Sequence, residues 1–250
     1  MHYQNTFLKQ VILRLDFARL PSLLTDQETL FTADMRGRYP DVSSNPATLF
    51  KVFMAQGGVN FGQDTVGWVR IHKAPEGART VTLAPDFLAI EYAGRAYQHF
   101  DELRAQVAFM LASFRNHFGA VIFTRIGLRY VNEITLAEGS PLDWDNLINP
   151  GLVTSVKAGL LAGLRMARSL HQLVAMRDDI SVLLNYGINN PDYPNPVARR
   201  QFILDLDCYV SGVVEFAEAE QRIRDVNRLA EDVFEHSIEQ GLREKMGIVQ

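Results

Sequence analysis

Residues Ala120 to Ile134 read AVIFTRIGLRYVNEI, and the rest of the chain is best interpreted outward from this stretch. With the period of two of an extended chain, Phe123, Arg125, Gly127, Arg129, Val131 and Glu133 fall on one face. Ile122, Thr124, Ile126, Leu128, Tyr130 and Asn132 fall on the other. Two arginines therefore share one face of a long strand.

Immediately before this strand, His99 to Phe118 keeps a helical period through Phe100, Leu103, Val107, Met110, Leu111, Phe114 and Phe118, with Gly119 placed to cap it. Further upstream, Val66 to Lys73, Arg79 to Ala84 and Phe87 to Tyr92 are strand-like runs. Pro75, Glu76 and Gly77 punctuate the first pair as a hairpin, and Pro85 and Asp86 mark the next turn. Leu8 to Phe17 alternates as an opening strand. Between them, Pro21 to Arg38 is expected to hold one or two short helices, and Asn45 with Pro46 to start a helix through Leu49 and Phe53 that Gly57 and Gly58 stop.

Downstream, Ser140 to Pro150 is a turn-rich connection containing Trp144. Leu152 to Ala167 is expected to be helical, weakened by Gly159 and Gly163. Leu170 to Arg177, Asp179 to Ile188 and Arg200 to Val210 form an antiparallel set, with Asn189 to Pro196 as a loop. Phe216 to Met246 is expected to be the longest helix. Hairpins dominate over a regular β-α-β alternation. The expected fold is therefore α+β, a mostly antiparallel curved sheet packed against two long helices. A single domain over residues 1–250 is expected, with a weak internal duplication of halves at about 1–139 and 151–250 joined by 140–150.

The chain is long enough, and at 47% hydrophobic apolar enough, to close a core without covalent staples. Its net charge of -4 argues against a general nucleic-acid binder. Cys208 is the single cysteine, so no intrachain disulfide forms and a cytoplasmic location is the default. The N-terminal segment, interrupted by Lys9, Arg14 and Asp16, does not read as a signal peptide. Leu152 to Ala167 is too short and too charged for a membrane span.

No glycine-rich phosphate loop, HExxH, paired cysteines or GxSxG occurs. The six histidines are scattered without metal-ligand spacing, and no cofactor is expected. On Arg200 to Val210, Ile203, Asp205, Asp207 and Tyr209 share a face. If that strand neighbours the arginine strand, Arg125 and Arg129 pair with Asp205 and Asp207 across the sheet. One outcome is a ladder of ion pairs; the other is a polar surface where a guanidinium holds an anionic ligand. Arg125 and Arg129 lie about 13 Å apart along a strand, too far to share one carboxylate. Asn132 closes the motif from the opposite face. Cys208 reads as a small core residue, and Asp178 with Asp179 as a turn.

The strand RIGLRYVNEI, the opening QVILRLDF, the Tyr39-Pro40 pair, VTLAPDFLAIEYAGRAYQHFDEL, Trp144 with INPGLV, ILDLD and FEHSIEQGLREKM resemble a sporadically distributed bacterial family. Its members have about this length and no assigned activity, so the resemblance carries no catalytic residue across. The patchy occurrence of the family implies an accessory role, as in defence or conflict systems. The expected function is a non-enzymatic binding or regulatory protein. Its partner would be a protein, a second copy or a small anionic ligand, with no membrane; a nucleic acid is disfavoured and would need a local basic groove. The alternative is an enzyme whose cleft is built on the Arg125/Arg129 and Asp205/Asp207 strands.

Overall fold

A computed structural model of the chain describes residues 2–20, 26–55, 58–157 and 163–249. Its strands are β1 (His2–Tyr3), β2 (Leu8–Phe17), β3 (Asp41–Ala55), β4 (Gly58–Lys73), β5 (Arg79–Ala84), β6 (Phe87–Ala93), β7 (Ile122–Leu136), β8 (Ser169–Arg177), β9 (Ile180–Ile188), β10 (Arg200–Glu215) and β11 (Ile248–Val249). The helices are α1 (Asp26–Met35), α2 (Phe100–Phe118), α3 (Pro150–Lys157), α4 (Ala219–Ser237) and α5 (Gln240–Met246). Nine strands form one antiparallel sheet in the order β3-β4-β5-β6-β2-β7-β10-β9-β8, and β1 pairs with β11.

The chain forms two compact units. The first comprises Met1–Val11, Gly127–Val210 and Gln221–Gln250; the second comprises Ile12–Ile126 and Ser211–Glu220. The second unit is held by an aromatic core. Phe114 of α2 lies 5.3 Å from Phe17 and 5.0 Å from Phe118, and Phe123 stacks on Phe216 at 5.6 Å. Phe114, Leu103, Val107 and Met110 are fully or almost fully buried, so the expected apolar face of α2 is the packed one. His99 caps its start by accepting from the Glu102 amide at 3.2 Å, and Gly119 ends it at φ 81°. In the first unit Ile223, Val226, Leu229 and Ala230 make one buried stripe on α4, while Phe202, Leu204, Leu206 and Cys208 are the buried side of β10.

Several expectations need correction. The sheet is not packed against two long helices: the stretch Phe216 to Met246 is divided, with a short 3-10 turn at Phe216–Glu218 before α4 and a break before α5. The cause is backbone competition. Ile238 bridges Ile148, and the amides of Asn149 and Glu239 donate to the carbonyls of Ser237 and Leu147, both at 2.9 Å. An amide committed to a neighbouring segment cannot continue the helical ladder.

The helix expected after Asn45 and Pro46 is instead strand β3, paired with β4 from Asp41↔Lys73 to Ala55↔Gly58. Pro46 is tolerated because β3 is an outer strand with a register shift beside it at Ala47/Thr48. Its side chains from Thr48 onward lie outside the described residues.

The helix expected over Leu152 to Ala167 is described only as α3; Gly159 lies outside the described residues, and Gly163 is left-handed at φ 79°. Within Pro21 to Arg38, α1 is found, whereas Leu23 and Leu24 lie outside the described residues.

Candidate functional site

The arginine strand is β7, and the structure assigns its two arginines different acids. In the second unit Arg125 Nη1 lies 3.9 Å from Asp16 Oδ2, and Arg14 reaches the other oxygen of that carboxylate at 2.6 Å. In the first unit Arg129 Nε and Nη2 each donate at 2.7 Å, one to each carboxylate oxygen of Asp205. The ladder foreseen for four residues thus contains Arg129 with Asp205, while Arg125 joins Asp16. The arginine-bearing face also departs from its expected polarity at one end. Phe123 shares the alternation of Arg125 and is fully buried against Phe17 and Phe216.

The Arg129–Asp205 pair is a bidentate fork, the strongest geometry available to these groups. The Asp205 side chain is 10% exposed and that of Arg129 44%, so the carboxylate has given up most of its water and takes the guanidinium in return. Hydrogen bonding to Asp205 raises the Arg129 pKa, and the charge of Asp207 adds to this. Arg129 is therefore held cationic, with its fork already filled by protein.

Strand register extends this pair into a polar row. Asp205 stands opposite Asn185, and Asn185 opposite Gln172. Gln172 Nε2 donates to Asn185 Oδ1 at 2.8 Å, and Asn185 Nδ2 donates to Asp205 Oδ2 at 3.3 Å. The row Gln172–Asn185–Asp205–Arg129 crosses β8, β9, β10 and β7. Flanking rows on the same face are Val174–Leu183–Asp207 and Met176–Ser181–Tyr209 on one side, and Leu170–Gly187–Ile203 on the other. On this face one connected polar row is therefore flanked by rows that each carry an apolar side chain on β8.

Asn132 lies on the opposite face, where it is buried and donates to the Leu204 carbonyl at 3.3 Å. Its neighbour by alternation, Tyr130, donates to Asn227 Oδ1 of α4 at 2.6 Å. The two faces therefore do different work: Asn132 and Tyr130 fasten the helix side, and Arg129 and Asp205 organise the other. Cys208 is buried on the helix side, where desolvation pushes its thiol up to about 12 and keeps it protonated.

Sequence reasoning missed the feature that sets this face apart, which is its outer edge. β8 ends the strand order, and Leu170, Leu173, Val174 and Met176 are 50, 50, 60 and 69% exposed. The run SLHQLVAMR was legible as a strand, but nothing local marks it as the last one. Its pairing with β9 is unbroken from Ser169↔Ile188 to Arg177↔Ile180. A close approach enforces it: a Cβ on Gly187, at φ 129°, would lie 2.1 Å from the Ser169 carbonyl oxygen.

A second group was also invisible in the spacing of histidines. Ser155 of α3 and Ser169 lie 2.7 and 2.9 Å from His171 Nε2, and the imidazole stacks on Tyr186 at 5.3 Å. The single Nε2 serves two hydroxyls, so the group ties α3 to β8 and β9 on the helix side. Among the described residues no helix is long and apolar enough to cross a membrane. No protein-family model matches the chain, and no curated protein is significantly similar to it.

Proposed function

We propose that this protein is a non-enzymatic binding protein that recognises a protein partner through β8 and the adjoining face of the first unit. The observation that carries the reading is the exposure of Leu170, Leu173, Val174 and Met176 on an outer strand. Leu170, Val174 and Met176 lie on the face of the Gln172 row and Leu173 on the other; exposed apolar side chains on an outer strand mark interaction surfaces, and such a strand offers unpaired backbone groups besides. Leucine, valine and methionine supply desolvation area, and the Gln172–Asn185–Asp205–Arg129 row supplies a polar pattern for orientation. The filled fork of Arg129 disfavours a small anionic ligand, because binding one would strip Asp205 of its partner in a poorly hydrated place. The same mutual satisfaction speaks against an acid or nucleophile at Arg129 and Asp205. An accessory bacterial role, as the family resemblance implies, and the cytoplasmic location expected from the single cysteine are compatible with such a module.

The test is site-specific photocrosslinking in cells, with the reactive residue placed at Val174, Met176 or, as control, Val213, which is 77% exposed in the other unit. Discrete adducts from the β8 positions, with binding reproduced by purified components and weakened by Leu173→Lys, are expected. Equal adducts from Val213, or none from β8, would overturn the reading.

A further inference from the structure

We infer that the partner of β8 is a second copy of this chain, paired antiparallel through the same strand about a two-fold axis at Leu173. The inference rests on the reading of β8 as a protein-docking strand.

The first support is a contrast between the two outer strands. Natural sheets protect their edges with proline, bulges or inward charge. β3 carries Pro46 and a register shift at Ala47/Thr48. From Ser169 to Met176 β8 carries no proline, no acidic residue, no lysine or arginine and no register shift. One edge is blunted, and the other is left able to accept a strand.

The second support is that β8 is complementary to itself. Under antiparallel pairing centred on Leu173, Leu170 of one copy faces Met176 of the other, and Gln172 faces Val174. Leu173 meets Leu173 on the axis. The residues just outside the strand then come near each other at its two ends: Arg168 before it and Asp178 after it, twice over by symmetry. Both are exposed. Asp178 sits in the tight loop between Arg177 and Ile180 at φ 54°, and the Arg168 guanidinium lies 4.2 Å over the Tyr193 ring. Opposite charges at the ends of a ladder favour it, whereas like charges oppose it.

Moving the register by two residues in either direction sets Arg168 against Met176 or Asp178 against Leu170. The charge pattern therefore favours one register. It also keeps like faces together, so the Gln172–Asn185–Asp205–Arg129 row of one copy joins that of the other on a continuous sheet. An isologous contact of this sort closes at two copies.

The experiment is sedimentation of the full chain over a wide concentration range, together with three sets of variants. The wild type should pass from one chain to two by mass action. Leu173→Lys places like charges across the axis and should weaken association about tenfold or more, with the dilute protein melting unchanged because Leu173 is half exposed. Arg168→Glu and Asp178→Lys should each weaken it, and the two combined should restore it. Leu173→Cys should cross-link to itself on oxidation or with a short thiol-reactive linker, whereas Met176→Cys should not; native Cys208 is buried and does not compete. A wild type that stays monomeric at all concentrations overturns the inference, and so does self-linking at position 176 in place of 173. A monomer that still gives β8 adducts with a different protein overturns self-pairing but leaves the docking strand standing. A monomer without such adducts overturns both.

Discussion

At the scale of single residues, the side chains singled out by alternation divide by what they touch. Arg129 and Asp205 form one charge-assisted unit in which the acid is far more buried than the base. Arg129→Ala should cost about 1–3 kcal/mol, chiefly because it leaves a desolvated carboxylate unpaired, and the exposed side of the pair keeps the value below that of a fully buried one. Combined with Asp205→Asn in a double-mutant cycle read by urea unfolding, the pair should show coupling of about 0.5–2 kcal/mol. Additive effects would mean that the fork contributes nothing beyond its separate groups.

His72 gives a pH dependence from the same physics. It is fully buried, and desolvation lowers its pKa, helped by the nearby charges of Arg70 and Arg36. Between its lowered folded value and an unfolded value of about 6.5, the unfolded chain binds the proton more readily, so stability falls as pH falls through that window. Melting temperatures measured from neutral to mildly acidic pH should decline, and the decline should be shallower in His72→Gln.

At the scale of elements, periodicity identified most strands and α2, and its failures are instructive. Asn45-Pro46 is a reasonable helix start when judged locally, yet the long ladder with β4 outweighs it, and only the outer position of β3 makes the proline harmless. The break between α4 and α5 is equally non-local. Asn149 donates through Nδ2 to the His236 carbonyl at 2.9 Å, and its Oδ1 accepts from the Gly151 amide at 2.9 Å. One side chain therefore satisfies the last turn of α4 and the first turn of α3. Asn149→Ala should destabilise the protein by about 1–2 kcal/mol, the usual range for a lost cap. A change under about 0.5 kcal/mol in thermal unfolding would show that backbone pairing alone sets the break.

At the scale of the whole molecule, the two units are interleaved in sequence. The first needs three separated stretches, and its last one supplies the buried Ile223, Val226, Ala230 and Leu242. Truncation after Glu220 should therefore leave the first unit without a closed core. The expected outcome is loss of its cooperative unfolding transition, followed through Trp144, which is fully buried 5.2 Å from Phe202. A truncated chain that kept the native emission and melting of Trp144 would show that the final helices are dispensable.

The sequence alone determined the class of the protein and most of its elements. Alternation and helical period depend on neighbours within a few residues, and the apolar face of α2 and the strands β5, β7, β9 and β10 follow from them. It also carried the pairing of Arg129 with Asp205, because both stand on the outward alternation of their strands. Only the tertiary structure decided that Arg125 belongs to Asp16, that Ile238 and Glu239 leave the helix to pair with the segment 147–149, and that β8 is the last strand of its sheet. Each of these depends on which distant segments become neighbours. An edge has no local signature, since the same SLHQLVAMR would be an ordinary inner strand if another strand lay beside it.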